Sequence, residues 1–222
     1  MNFLVPTSVP IRKPSPESKV VGWSGAQGAD WAKRNPKSVR DLDASYLERF
    51  GITRTAVNEQ MLARVPKDAR VLEIGCAAGA QLNALHAIGF RDLHGCDLSS
   101  DALASCPWPH EVADGCDLPY EDETFDLVMT SGTFMHIPMA RKPAFLQEIM
   151  RVSRRWYYGV EMWSHQPTMW DFGDLIPPAW TIDWYPMLDS HGWPIVERLH
   201  LEALNPETGG RPLACFLMER AG

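Results

Sequence analysis

The sequence is short of positive charge. Lys and Arg number 21 against 28 Asp and Glu, a net charge of −7. Binding a nucleic acid backbone needs clustered cations that displace counterions, and the only basic cluster, Arg151, Arg154 and Arg155, reads as a solvated helix end. No nucleic acid partner is expected. Long apolar runs are also missing: none approaches the roughly 18 residues a spanning helix needs. Prolines interrupt the N-terminal region where a signal segment would sit, so no membrane partner is expected. The five cysteines (76, 96, 106, 116 and 215) contain no C-x-x-C pair, which argues against a structural zinc or a dithiol redox motif. They read as reduced thiols of a cytoplasmic chain. Asp117, Glu121, Asp122 and Glu123 have the spacing of a solvated loop, so no metal is assigned.

What is present is one organising stretch, residues 70–81, Arg-Val-Leu-Glu-Ile-Gly-Cys-Ala-Ala-Gly-Ala-Gln. Apolar residues around one acid, then two spaced glycines, then Leu-Asn-Ala-Leu, predict a buried strand, a tight turn and a helix. Glycine at the turn lets backbone N–H groups approach a ligand. The third glycine of the dinucleotide pattern G-x-G-x-x-G is lacking, as is a Tyr-x-x-x-Lys pair. That weakens the reading as a nicotinamide-dependent sugar oxidoreductase. Glu73 points an acid at the turn, which repels phosphate and attracts a cation such as the ammonium and sulfonium of S-adenosylmethionine (SAM).

Val71 to Gly79, Gly95-Cys96-Asp97-Leu98-Ser99, residues 113–120 (Ala-Asp-Gly-Cys-Asp-Leu-Pro-Tyr) and residues 123–129 (Glu-Thr-Phe-Asp-Leu-Val-Met) follow in order. Together they resemble the motifs of class I SAM-dependent methyltransferases. The resemblance implies an α/β, Rossmann-like fold: a seven-stranded, mostly parallel sheet with helices on both faces and an antiparallel C-terminal edge, over residues 67–222. It implies SAM as cofactor, held at Glu73, Gly75, Cys76, Ala77 and Gly79. Asp97 and Leu98 would meet the ribose, Asp114, Gly115 and Cys116 the adenine, and Ser131 the cleft beyond the fourth strand. As an alternative, Asp97 is a helix N-cap.

Residues 1–19 hold four prolines among Ser and Lys and read as an extended tail. Residues 20–66 open with the order W-x-G-x-x-G-x-x-aromatic-x-x-R-N from Trp23, which resembles methylases associated with pseudaminic acid biosynthesis. That resemblance implies a helical lid over the cofactor, with Trp31 and Arg34 near its methionine carboxylate. Otherwise the tryptophans are core plugs and Arg34 caps a helix. Arg54 reads as a surface residue, or as the alternative to Arg34 at the methionine carboxylate.

After the fourth strand, no N/D/S-P-P-Y/F motif and no Pro-Cys nucleophile pair appears, so nucleic acid methylation is again disfavoured. His136 is a candidate general base, with an ordinary pKa near 6.5, or a residue that orients its loop. Glu161, near the end of an aromatic fifth strand, either binds an acceptor amine or hydroxyl or makes a salt bridge. Residues 164–181 read as a long aromatic insertion of the kind that forms lids. Trp163, Trp170 and Trp180 would wall an acceptor pocket, with Asp171 or Asp183 as polar contacts, or else form a satellite cluster. The expected function is methyl transfer from SAM to a small polar acceptor, a hydroxyl or amine, by a monomer or homodimer. A non-catalytic SAM-binding regulatory module is the alternative.

Overall fold

The computed structural model describes residues 23, 28, 30, 34, 38–170, 178–206 and 211–221. Helix α1, Val39–Phe50, begins where the Ser38 hydroxyl accepts from the Asp41 N–H, and stops at Gly51, whose φ is 71°. Helix α2, Arg54–Met61, starts the same way at Thr53. A β/α succession follows: β1 Arg70–Ile74, α3 Ala80–Ala87, β2 Asp92–Asp97, α4 Ser100–Leu103, β3 His110–Val112 and β4 Phe125–Ser131. Two single 3₁₀ turns, Phe134–His136 and Met139–Arg141, lead into α5, Lys142–Val152, and β5, Ser153–Met162. The chain closes with β6 Thr168–Trp170, β7 Ala179–Thr181, α6 Tyr185–Asp189, β8 Ile195–Leu201 and β9 Leu213–Glu219.

Seven strands form one sheet in the order β3-β2-β1-β4-β5-β9-β8. The first five are parallel, and β9 runs antiparallel to both its neighbours. Strand order reverses between β1 and β4, which opens a crevice outside their carboxyl ends. Alternate side chains take opposite faces. Val71, Leu127, Met129 and Tyr158 pack under the N-terminal helices, while Leu72, Ile74, Val128 and Tyr157 pack under α5. Among the described residues no helix is long and apolar enough to cross a membrane.

Most of the 23–35 pattern tied to a lid lies outside the described residues. Residues 39–61 form two helices of the core, with Leu42, Tyr46, Phe50, Val57 and Met61 buried in the layer on one face of the sheet. Their helical spacing supplies an apolar stripe that one face of the sheet needs. Arg54 is not at the surface but fully buried, donating from Nε to Asn58 Oδ1 (3.0 Å) and from Nη1 to the Tyr46 hydroxyl (2.7 Å). The insertion is not loop throughout, because β6 and β7 pair as a hairpin. Trp170 Nε1 donates across it to Thr181 Oγ1 at 2.9 Å. The basic cluster is engaged in ion pairs: Arg151 with Glu148 and Asp122, Arg154 with Asp126, and Arg155 with Glu219.

Candidate active site

The crevice is built from the turns that follow β1 to β4. Gly75 has φ +77°, and a Cβ there would lie 2.2 Å from Thr133 Oγ1, so the turn after β1 packs backbone-close on the turn after β4. Gly79 starts α3 with φ 79°. Between them Ala77 holds φ 46°, a left-handed conformation costly for a residue with a Cβ. Its N–H donates to Asp97 Oδ2 at 3.0 Å, and Ser99 N–H donates to Oδ1 at 2.9 Å. The Asp97 carboxylate thereby ties together the turns after β1 and β2 while lining the crevice. Burial raises its pKa, opposed by those backbone donors.

Asp114 lines the crevice after β3. Its Oδ1 accepts from Cys116 N–H at 2.9 Å and its Oδ2 from Arg141 Nη2 at 2.7 Å. Burial alone would raise its pKa, but the guanidinium and that N–H outweigh it and hold Asp114 below the ordinary value. Cys116 therefore spends its N–H on Asp114 itself. Gly115 admits the Phe145 ring, which a Cβ would meet at 2.3 Å. Leu98 and Ser131 also line the crevice.

His136 reaches the same crevice from the first 3₁₀ turn and is 8% exposed. Its Nδ1 lies 3.1 Å from the Pro178 carbonyl, beside β7, and its ring meets the Trp23 ring edge-on with centroids 4.8 Å apart. A carbonyl only accepts, so Nδ1 carries the proton of this bond. Glu161 stands behind the turn rather than in the crevice. Its Oε1 accepts from Thr133 N–H (3.3 Å) and Phe134 N–H (3.2 Å), its Oε2 from Met135 N–H (3.2 Å), and it is fully buried. The structure gives this carboxylate to the first turn of the segment bearing His136, which leaves neither oxygen facing an acceptor.

Glu73, expected to face the cofactor cation, is 2% exposed under the N-terminal helices, with Arg54 as its charge partner. Side-chain alternation along β1 explains this: Glu73 shares the face of Val71, not the crevice side of Ile74. Burial pushes its pKa up to about 8 despite Arg54. Cys76 is buried behind the turn, its thiol packed where a Cβ on Gly95 would stand. Arg34 is exposed and donates to the Asp30 carbonyl at 3.1 Å. Trp163 is wedged between the His165 and His200 rings, and Trp170 lies under Arg211. Trp180 sits half-buried in β7, and Asp183 accepts from Tyr185 N–H at the start of α6. These tryptophans and Asp183 gather around the hairpin rather than among the crevice-lining residues. Trp31 and Asp171 lie outside the described residues.

Sequence reasoning did not assign Trp23, Thr133 or Arg141, all of which line the crevice. Arg141 carried one signal, a cation just before an amphipathic helix and directly after the β4 turn. Among the described residues no group of three or more His, Cys, Asp or Glu is arranged to hold a metal.

Residues 72–155 match a family model described as a methyltransferase domain. Over 93 residues the chain is 33% identical to a probable phthiotriol/phenolphthiotriol dimycocerosates methyltransferase 2 of Mycobacterium ulcerans (strain Agy99), a match covering 38% of this chain and 35% of that relative. The chain thus spans about a third of the length of the curated relative it matches. Among solved structures, a 1,6-didemethyltoxoflavin-N1-methyltransferase of Burkholderia thailandensis, with bound 1,6-didemethyltoxoflavin and S-adenosylhomocysteine, has a TM-score of 0.66 at 14% identity, covering 98% of this chain and 94% of that one. A magnesium protoporphyrin IX methyltransferase of Synechocystis PCC 6803 with bound SAM has a TM-score of 0.64 at 13% identity, covering 94% and 99%. These likenesses show the fold, the Rossmann-like sheet of class I methyltransferases.

Proposed function

Starting from a chain that carries a methyltransferase domain on this fold, we propose that it is a SAM-dependent methyltransferase acting on a small polar acceptor. One observation carries the reading: the Gly75 turn, Asp97, Asp114 and His136, brought from four separate strand ends, line a single crevice. The residues fit the cofactor. The turn at Gly75 has no room for a Cβ, so it offers bare backbone, and Leu98, Ala113 and Phe145 supply apolar walls for a flat base. Asp97 accepts from the ribose hydroxyls. Asp114, held ionised by Arg141, accepts from the adenine amino group. SAM supplies an electrophilic methyl on a positively charged sulfur, so the protein's task is alignment and exclusion of water.

His136 receives the acceptor's proton. With Nδ1–H given to the Pro178 carbonyl, the neutral ring has its basic lone pair on Nε2. Trp23, edge-on to that ring, lines the crevice beside it. We read the acceptor as a hydroxyl or amine, and more finely as a sugar or sialic-acid-like compound. The finer reading is supported by the N-terminal pattern shared with the pseudaminic-acid-associated methylases. The cytoplasm, where the five thiols stay reduced, is the compartment this implies.

The test is calorimetric titration of SAM, S-adenosylhomocysteine and NAD, followed by an acceptor screen with labelled methyl. Selective binding of the two adenosyl ligands and label transfer to a polar small molecule are the expected results. Binding of NAD alone would overturn the reading.

A further inference from the structure

Lys142, the first residue of α5, has no exposed surface. Its Nζ donates to the Phe134 carbonyl at 2.6 Å and lies 4.9 Å from the centroids of both the Phe134 and Trp184 rings. Burying an ammonium is unfavourable unless it is paired and hydrogen-bonded, and a methionine would fill this space without a charge. Burial pulls Lys142 down to about 7, opposed by the attraction of Glu161. Two buried ionisable groups therefore bracket one three-residue turn. Glu161 takes the N–H groups of Thr133, Phe134 and Met135, and Lys142 takes the carbonyl of Phe134, which also accepts from the Ile137 N–H that closes the turn. So short a helix has too few internal bonds to hold itself. The residue it delivers to the crevice is His136.

We propose that Lys142 is a positioning residue that, together with Glu161, fixes the turn so that the His136 ring keeps its Nδ1 bond to Pro178 and a single tautomer. The inference rests on the reading of His136 as the proton acceptor, but its test does not. The ring nitrogens of the seven histidines are observed by NMR in ¹⁵N-histidine-labelled protein saturated with S-adenosylhomocysteine, His136 being assigned by its loss in His136→Gln. In the native protein the neutral His136 ring should appear protonated at Nδ1. Lys142→Met should lower that tautomer's preference by up to about tenfold, the worth of one net hydrogen bond, while S-adenosylhomocysteine affinity stays within about twofold. Leu146→Val, buried on the same helix but in the core beneath it, should destabilise the fold without moving the tautomer. Lys142→Arg keeps charge and donor, so it should fall between native protein and Lys142→Met. An unchanged tautomer in Lys142→Met, or an equal change in Leu146→Val, would overturn the inference. Full methyl transfer by His136→Gln would instead sink the proton-acceptor reading and leave the tautomer result standing.

Discussion

The two halves of the sheet's carboxyl rim use the same chemistry to different ends. At the tips of β2 and β3, Asp97 and Asp114 each accept backbone N–H groups from the turn they sit on and still line the crevice. At the tip of β5, Glu161 also accepts turn N–H groups, three of them, but is sealed away. A carboxylate beside a turn is therefore not by itself a ligand contact. Exposure to the crevice separates one that stays open to a ligand from one that supports a turn.

The sharpest way to break that contrast is Glu161→Ala. It should lower unfolding free energy by about 3–5 kcal/mol, because it strands three N–H groups and leaves Lys142 without its countercharge, as read by urea denaturation. Loss of less than half of that would overturn the supporting role of Glu161. Asp97→Ala should do the reverse, weakening SAM binding by about 1–3 kcal/mol in calorimetry. Unchanged affinity would remove the ribose assignment.

Glu73 extends the contrast to an acid whose partner is a buried cation. Its folded pKa, about 8, lies above its ordinary 4.5, so between those values the folded state holds a proton the unfolded state releases. Stability from this group is complete below about pH 4.5 and is lost as pH rises toward 8, at up to ~1.4 kcal/mol per pH unit. Lys142, pulled down to about 7, acts in the opposite sense, with stability rising at higher pH. Glu73→Gln should flatten the fall between pH 5 and 7, measured by thermal denaturation across pH. A curve identical to the native one would show Glu73 ionised beside Arg54. The smallest effect is expected at Ala77, where φ is 46°. Ala77→Gly should raise stability by less than ~1 kcal/mol through relieved strain, and a loss there would show that the left-handed conformation is not strained.

The crevice-lining half was legible because its parts are neighbours in sequence. An apolar strand, the turn carrying Gly75 and Gly79, and an acid at the next strand end all fall within one short reading frame. The supporting half was not, because its pairs are made by topology. Arg54 acts on Glu73 only once α2 packs against α3 and the β9-β8 edge, and Lys142 meets the Phe134 carbonyl only when α5 folds back on the β4 turn. An isolated Arg or Lys in a helical pattern reads as solvated. The tryptophans of the insertion gave composition without address: Trp163 and Trp170 pack with His200 and Arg211 around a hairpin whose strands are three residues each.

The carbonyl of Pro178 belongs to the least conventional part of the chain, yet it is the acceptor that Nδ1 of His136 meets. For anyone engineering new substrates, the hairpin is therefore not a detachable cassette. A transplanted segment that fails to bring a carbonyl to the same spot would take away the acceptor of the ring's Nδ1–H. Libraries built there should hold residue 178 and its backbone path constant and diversify β6 instead.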